Sequence, residues 1–433
     1  MKVLILTSEE WNDKKYGNNN MSNWFAGFDN IELAHVYCSN GKPDNRCCLK
    51  YFQIPETAMM RSIVKDKPAG RSMYYQEFPS GQTGSGSGKT VPAILKTELA
   101  RAARDCVWKW GKINEDALHE FLEAFQPDIV FSQRKASIRI LRAERAVKKL
   151  VPNVPFVVYT ADDEYSLKQF SLNPIFWLRR FAVRAEMRKN VSFYDKYYTD
   201  AEAQSEEYRR IFGVETDFLA KCGTFDRDKC HIKVNTPIRI VYAGKLYCNR
   251  WKTLEHLAKA IAKINERQNR PVFHMEIYTQ SPVTKRQRKH LDNQTASSVM
   301  GRVSAEEVLE IYREADIVLH VESFDLANRL ATRYSFSTKI IDCMATGCAL
   351  MAICDKAQNG LAYLRKQDAA ITVDDPKKLT EVLEGIAERP EILLEYAKKA
   401  IDCGMRNHSR EVVQRKLYDD FSKVINKRSL KNS

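Results

Sequence analysis

The stretch "RIVYAGKLYCNRWKTLEHLAKAI" at residues 239–261 contains the pattern that decides the fold. It begins with branched and aromatic apolar residues, which favour a buried strand, and a turn follows at Gly244. In "TLEHLAKAI", residues 253–261, apolar residues recur at helical spacing. A strand, a glycine turn and an amphipathic helix in this order are typical of a parallel α/β sheet.

The same alternation of strands and helices recurs along both halves of the chain. Predicted strands include "KVLILT", "IELAHVYC", "QPDIVFSQ", "VFHMEIYT", "DIVLHVES" and "CALMAIC". "STKIIDCMATG", residues 337–347, is predicted to be a helix that begins at Ser337 and closes at Gly347. We therefore predict an α/β protein with two Rossmann-like domains that face a cleft.

The predicted domains follow from where these cycles begin and end. The N-terminal Rossmann-like domain spans 1–225 and includes a long irregular insertion near 40–90, where Pro43, Pro55, Pro68 and Pro79 interrupt the pattern. The C-terminal Rossmann-like domain spans 237–390. Basic amphipathic helices at 391–433 are expected to pack back on the N-terminal domain.

Composition restricts the class of protein without identifying it. The 433 residues carry a net charge of +14, which favours polyanionic partners such as nucleic acid, an anionic membrane face or phosphorylated substrates. No charge-free run is long enough to span a membrane. The eleven cysteines include no CxxC pair, and the eight histidines have no metal-ligand spacing, so we expect free thiols in a reducing cytoplasm.

A glycine loop, "GQTGSGSGKT" at residues 81–90, ends as a phosphate-binding P-loop does. A P-loop places its first glycine five residues before the second, but that position is Thr83. The polar segment before the loop, "RSMYYQEFPS", also differs from the buried strand that a P-loop follows. We interpret it as a mobile surface loop, with a loop that orders over substrate and a true phosphate loop as alternatives.

A stronger signal for phosphate binding lies in the second half of the chain. Lys245, Arg250 and Lys339 could neutralise a diphosphate, and the amides of Thr338 and Lys339 would add the field of a helix N-terminus. Asp342, on the next turn, can accept hydrogen bonds from ribose hydroxyls. The pattern suits a nucleoside diphosphate.

At these residues the chain resembles the retaining nucleotide-sugar glycosyltransferases of the GT-B fold, in particular family 4 enzymes of the bacterial surface-polysaccharide type. In that family a glycine–basic pair and a second basic residue hold the diphosphate, which corresponds here to Gly244, Lys245 and Arg250. The second acid of the family's E-x7-E segment corresponds to Asp342. The first acid has no direct match, because Tyr334 occupies its position, and Glu322 is the substitute.

The resemblance is less specific in the N-terminal half. "VPFVVYTADDEYS" is similar to a strand and loop of the family and places Asp163 on the acceptor side. The resemblance implies four catalytic candidates: Lys245, Arg250, Glu322 and Asp163. It implies a larger donor-binding set: Gly17, Gly244, Lys245, Arg250, Glu322, Ser337, Thr338, Lys339 and Asp342.

The activity that the resemblance implies is sugar transfer, with retention at the anomeric carbon, from a UDP- or GDP-sugar to a glycan or lipid-linked acceptor in surface polysaccharide biosynthesis. No cofactor and no metal are expected. The helix "NPIFWLRRFAVRAEMRK", residues 173–189, interleaves aromatic with basic residues and suggests peripheral contact with an anionic membrane from the cytoplasmic side. The alternative for this helix is a core helix with a basic outer face.

Three other functions stay open from the sequence. They are a P-loop-type nucleoside triphosphatase that uses residues 81–90, a nucleic-acid-binding protein suggested by the charge, and a non-catalytic GT-B scaffold suggested by the missing first acid. A sugar-nucleotide epimerase of the same fold is a further alternative.

Overall fold

The computed structural model describes residues 1–14, 20–74, 97–293 and 295–432. The chain divides into two compact units, one formed by residues 1–219 and 414–433 and the other by residues 220–413. The segment 391–433 is thus shared between the units, since its first helix stays with the second unit and most of its last helix belongs to the first.

The first unit is built on an eight-stranded sheet with the strand order β4-β3-β2-β1-β5-β6-β7-β8. Neighbouring strands pair in parallel, except for the antiparallel edge pair of β3 and β4. The strands are β1 Lys2–Thr7, β2 Glu32–Tyr37, β3 Lys50–Gln53, β4 Arg71–Tyr74, β5 Ile129–Arg134, β6 Phe156–Thr160, β7 Lys196–Thr199 and β8 Glu215–Phe218. The helices are α1 Asn20–Phe25, α2 Glu56–Lys65, α3 Glu98–Trp110, α4 Glu115–Phe125, α5 Ile138–Leu150, α6 Pro174–Val191 and α7 Glu202–Phe212, joined by α16 Arg410–Asn432 from the end of the chain.

The second unit is built on a six-stranded, fully parallel sheet with the order β11-β10-β9-β12-β13-β14. Its strands are β9 Ile238–Ala243, β10 Phe273–Tyr278, β11 Ser297–Gly301, β12 Ile317–Val321, β13 Ala349–Ile353 and β14 Ile371–Val373. Its helices are α8 Arg250–Arg267, α9 Lys285–Leu291, α10 Ala305–Arg313, α11 Leu326–Thr332, α12 Thr338–Met344, α13 Asn359–Lys366, α14 Leu379–Glu388 and α15 Ile392–His408. The predicted pair of parallel α/β sheets is confirmed.

The order of strands in the second unit determines where a ligand can bind. The order reverses between β9 and β12, which lie side by side at the centre of the sheet. In open parallel sheets, ligands bind outside the carboxyl ends of the strands at such a reversal. The residues that follow β9 and β12 are therefore candidates for a ligand-binding site.

The prediction of an irregular insertion near 40–90 is wrong for the described residues 50–74. This part contains β3, the ten-residue α2 and the edge strand β4. Its prolines mark boundaries, because Pro55 directly precedes α2 and Pro68 lies between α2 and β4. Proline is well tolerated at the start of a helix, so its presence did not exclude regular structure. Residues 81–90 lie outside the described part of the chain.

The turn after α12 requires glycine. Gly347 has a φ of +86°, and a Cβ there would lie 2.0 Å from the backbone oxygen of Lys229. The left-handed conformation and this close approach both exclude a side chain. The helix itself ends at Met344 with Ala345 as its C-cap, earlier than the predicted closure at Gly347, so glycine is required by the turn that follows the helix.

The last helix, α16, is part of the first unit's core. Leu417 and Phe421 are completely buried, and the Phe421 ring lies 5.8 Å from that of Phe131 on β5. The Tyr198 hydroxyl donates a 2.6 Å hydrogen bond to Asp420, and the Gln414 side chain donates to the backbone oxygen of Trp24 at 2.8 Å. Apolar burial and these bonds together attach the helix to the sheet.

We expect Phe421→Ala to lower the free energy of unfolding by about 3–5 kcal/mol, because it leaves a cavity in a packed core. Chemical denaturation measures this loss. The exposed Lys423→Ala on the same helix is the control and should change stability by less than about 0.5 kcal/mol. Equal stabilities for the two variants would contradict a core role for α16.

Candidate anion site

The predicted donor residues of the second unit converge on the carboxyl ends of β9 and β12. Gly244 and Lys245 directly follow β9, and Glu322 directly follows β12. Arg250 begins α8, and Lys339 is the second residue of α12. The structure therefore places these residues at the strand-order reversal.

Gly244 allows a close approach of the backbone to a cation. A Cβ at this position would lie 2.9 Å from the Tyr242 hydroxyl and 3.3 Å from Lys339 Nζ. The Gly244 amide donates a 2.9 Å hydrogen bond to the backbone oxygen of Tyr278, which ties the turn to β10. The missing side chain lets the turn pack closely against Tyr242 and Lys339.

Lys339 is a buried cation without a hydrogen-bonding partner among the described residues. Its Nζ is enclosed and lies 3.9 Å from the centre of the Tyr242 ring. Burial lowers the pKa of Lys339 to about 8, and the Arg250 guanidinium acts in the same direction. A buried ammonium without hydrogen bonds is costly, so this arrangement is typical of a site that an anion completes.

Arg250 is held by Glu322 through a two-pronged ion pair. The two nitrogen–oxygen distances are 2.6 and 3.0 Å, and both side chains are largely buried. The pair raises the pKa of Arg250 despite the opposing effect of burial, and the Tyr247 ring lies 4.8 Å from the guanidinium. Glu322 thus uses both carboxylate oxygens on Arg250, an arrangement that suits orientation of the guanidinium better than the sugar contact that the resemblance implies.

Lys245 is the exposed member of the cluster. Its Nζ lies 5.9 Å from the Tyr247 ring, and no carboxylate of the described residues pairs with it. Its backbone oxygen accepts a 2.8 Å hydrogen bond from the Tyr242 hydroxyl, which fixes the turn that carries it. Lys245, Arg250 and Lys339 thus form a group of three cations with a single carboxylate bound among them.

The remaining donor candidates on α12 lie close in sequence but differ in their contacts. Ser337 precedes the helix without the side-chain cap hydrogen bond, and Thr338 is half-buried. Asp342 is partly exposed, and one of its oxygens binds Lys221 Nζ at 2.6 Å. The sequence analysis missed Lys221, because the two residues are 121 positions apart.

Asp163, the acceptor-side candidate of the first unit, is buried and bound. Its side chain is 0% exposed and pairs with Arg180 at 3.1 Å. It also accepts hydrogen bonds from the Ser166 amide at 2.9 Å and the Ser166 hydroxyl at 2.5 Å. These contacts occupy both carboxylate oxygens within the first unit, and the catalytic role expected of Asp163 stays a prediction. The neighbouring Asp162 is exposed.

Gly17 lies outside the described residues, and so does the glycine loop at 81–90. Among the residues that are described, no group of three potential metal ligands is present and no helix is long and apolar enough to cross a membrane.

The basic residues of α6 are mostly engaged within the first unit. Arg179 binds Asp105 at 2.6 Å, Arg180 binds Asp163, and the Arg188 guanidinium donates to the Tyr165 hydroxyl at 2.6 Å. By contrast, apolar side chains in and just before this helix are exposed: Phe170, Leu172, Leu178 and Phe181. Any membrane contact of this segment would therefore depend on apolar side chains more than on charge.

Comparison with known proteins agrees with this geometry. Residues 237–389 match the profile of the family "Glycosyl transferases group 1", which covers the sheet and the anion site of the second unit. No curated protein matches the sequence.

Solved structures with the same fold cover nearly the whole chain. Sucrose-phosphate synthase from Thermosynechococcus elongatus has 12% identity and a TM-score of 0.58, over 98% of this chain and 100% of that one. The Anabaena protein HepE in complex with UDP gives the same four values. A trehalose-6-phosphate protein from E. coli, bound with UDP-2-fluoro glucose, has 10% identity and a TM-score of 0.58, over 97% and 99% of the two chains.

The fold and the domain of the second unit define the class of protein. It is a glycosyltransferase with the GT-B fold.

We expect Lys339→Met to stabilise the ligand-free protein by about 1–3 kcal/mol at pH 7, because it replaces a buried charge by an apolar side chain. The same change should abolish affinity for inorganic diphosphate. Burial lowers the pKa of Lys339 from 10.5 to about 8. The destabilisation caused by the buried charge is therefore complete below pH 8, and it decreases at higher pH as the folded state releases the proton. The wild type should therefore gain stability relative to the variant between pH 8 and pH 10.

Chemical denaturation and isothermal titration calorimetry measure the two effects. Lys263→Met, at an exposed lysine of α8, is the matched control and should change neither quantity appreciably. A Lys339→Met protein that is less stable than the wild type would contradict the description of Lys339 as an uncompensated charge.

Proposed function

We propose that the protein transfers a sugar from a nucleoside diphosphate sugar to a glycan or lipid-linked acceptor, with retention at the anomeric carbon. The observation that carries the proposal is the buried Lys339 ammonium, which has no hydrogen-bonding partner among the described residues and lies close to the turn at Gly244. Lys245 and Arg250 add two cations at the same strand ends. A diphosphate supplies the compact negative charge that this group lacks.

In the proposed reaction, the bond between the anomeric carbon and the diphosphate oxygen breaks, and the acceptor hydroxyl oxygen bonds to that carbon. Negative charge grows on the departing diphosphate, and cations that are already in place stabilise it most in the transition state. Lys245, Arg250 and Lys339 have this role, and Glu322 orients Arg250. The hydroxyl proton passes to the departing phosphate oxygen, as the resemblance to retaining enzymes implies, so no protein base is assigned.

The three cations are also the reason to propose transfer without a resident metal. They provide the charge that a divalent cation supplies to diphosphates in other enzymes. In the same proposal, the one free oxygen of Asp342 accepts a hydrogen bond from a ribose hydroxyl, and Ser337 and Thr338 contact the diphosphate.

UDP is the first nucleotide to test. HepE and the E. coli trehalose-6-phosphate protein are described with UDP or a UDP-sugar bound, and both have the fold of this chain. GDP-sugars are the second candidate. The donor sugar is left open.

We further propose a role in surface polysaccharide biosynthesis at the cytoplasmic face of the membrane. The exposed side chains of Phe170, Leu172, Leu178 and Phe181 support contact with a lipid surface, since apolar side chains insert at the boundary of headgroups and acyl chains. This contact would bring a lipid-linked acceptor close to the enzyme.

The main prediction concerns two lysines that each follow a glycine. Lys245→Ala should weaken UDP binding about 10- to 100-fold, because it removes a charge-assisted contact to the diphosphate. Lys89→Ala, in the glycine loop, should leave UDP affinity unchanged. Isothermal titration calorimetry with UDP, GDP and ATP measures both.

Three outcomes separate the proposal from its alternatives. Binding of ATP alone, lost only in Lys89→Ala, would indicate a nucleoside triphosphatase. Tight and salt-sensitive binding of DNA or RNA without nucleotide binding would indicate a nucleic-acid-binding protein. Nucleotide binding without release of UDP from any UDP-sugar tested, with or without acceptor, would indicate a non-catalytic scaffold.

A further inference from the structure

Lys339 needs something other than hydrogen bonds to hold its ammonium in place. Lysine has a flexible four-carbon stem and readily changes rotamer. No carboxylate of the described residues pairs with Lys339, yet its Nζ lies 3.9 Å from the centre of the Tyr242 ring. This distance is well within the range of a cation–π interaction, which is strongest where water is excluded.

The neighbouring cation, Arg250, is held by a carboxylate instead of an aromatic ring. Arg250 is held by the Glu322 carboxylate, which orients the guanidinium and also cancels its charge. An aromatic face attracts a cation through its quadrupole and carries no net charge. A ring can therefore hold Lys339 and still leave a full positive charge for a ligand.

The hydroxyl of the same tyrosine holds the turn that carries Lys245. Tyr242 donates a 2.8 Å hydrogen bond to the backbone oxygen of Lys245. Tyr242 is 2% exposed and is part of the central strand β9, so its position is fixed by the sheet. One rigid side chain thus contacts both Lys339 and the turn that carries Lys245.

We infer that Tyr242 is a positioning residue of the anion site, whose ring face holds the Lys339 ammonium and whose hydroxyl holds the Gly244–Lys245 turn. This inference rests on the proposed function, because it takes the diphosphate of the donor as the anion. The Lys339 ammonium and the turn that carries Lys245 are then in place before the donor binds, which limits the cost of ordering them at that moment.

A series of variants at one position tests the ring and the hydroxyl separately. Tyr242→Phe keeps the ring, so it should weaken UDP binding at most about fivefold, the value of one hydrogen bond. Tyr242→Leu removes the ring and should weaken UDP binding about 10- to 30-fold. Tyr197→Leu in the first unit is the matched control, because Tyr197 is also fully buried and also lies against a cation, Arg134 at 5.6 Å. It should leave UDP affinity unchanged.

Fluorination of the ring gives a test that does not depend on packing. Phenylalanine with one, two and three ring fluorines at position 242 keeps the apolar ring but progressively weakens the negative potential of its face. UDP affinity should fall with each added fluorine. A flat series would overturn the role of the ring, and it decides the question even if Tyr242→Leu fails to fold.

The pH dependence of binding gives a readout that a purely structural role would not change. The charged or titratable groups near Lys339 are Asp342 and Cys343 on α12, Arg250 on α8, Glu322 after β12, and His320 on β12, whose pKa burial lowers to about 3. Burial lowers the pKa of Lys339 itself to about 8, so UDP affinity should fall as the pH rises through that value. Without the ring the protonated form of Lys339 is less stabilised. The fall in UDP affinity should therefore begin at lower pH in Tyr242→Leu but not in Tyr242→Phe.

The outcomes distinguish this inference from the proposed function. If the wild type fails to bind UDP, the proposed function fails. If the wild type binds UDP and Lys339→Met does not, but Tyr242→Leu binds as tightly as the wild type at pH 7 and pH 9, only the role of Tyr242 fails. Equal losses in Tyr242→Leu and Tyr197→Leu would also overturn it, because they would indicate general destabilisation.

Discussion

The central constraint of the structure is the positive charge of Lys339, which the fold encloses without neutralising. Folding buries this ammonium near the carboxyl end of β9, and the described part of the chain provides neither a carboxylate nor a hydrogen-bond acceptor for it. Proteins rarely tolerate such a group unless a ligand completes it. Gly244 and Lys339 both lie at the strand-order reversal of the second sheet, where ligands bind in open parallel sheets.

The three cations of the candidate site differ in how they are held. Arg250 is oriented by Glu322, Lys339 lies against an aromatic ring, and Lys245 extends from a turn into solvent. Arg250 and Lys339 are thus held in place without a ligand, and cations preset in this way are suited to a diphosphate whose charge grows during transfer. The positive charge elsewhere in the chain is less available to a ligand. On α6, for example, Arg179 and Arg180 pair with carboxylates of the first unit.

The sequence alone was sufficient for the fold class and for the group of residues that the structure brings together in the candidate anion site. Strand periodicity and the glycine after β9 are local signals, and the order of elements predicts a parallel sheet. Pro55 and Pro68 led to the wrong prediction of an irregular insertion, because they lie before and after α2 rather than within it. The ion-pair partners of Asp163 and Glu322 could not be predicted from the sequence, since Arg180 and Arg250 contact them only through tertiary packing. The π contact of Lys339 is hidden for the same reason: Tyr242 lies 97 positions earlier.

A crystal structure of the protein with UDP would test the central claim most directly. The account predicts a diphosphate oxygen within hydrogen-bonding distance of Lys339 Nζ, with the ammonium still against the Tyr242 ring and the second phosphate near Lys245 and Arg250. A diphosphate bound elsewhere, with Lys339 still enclosed and without a new partner, would contradict the account.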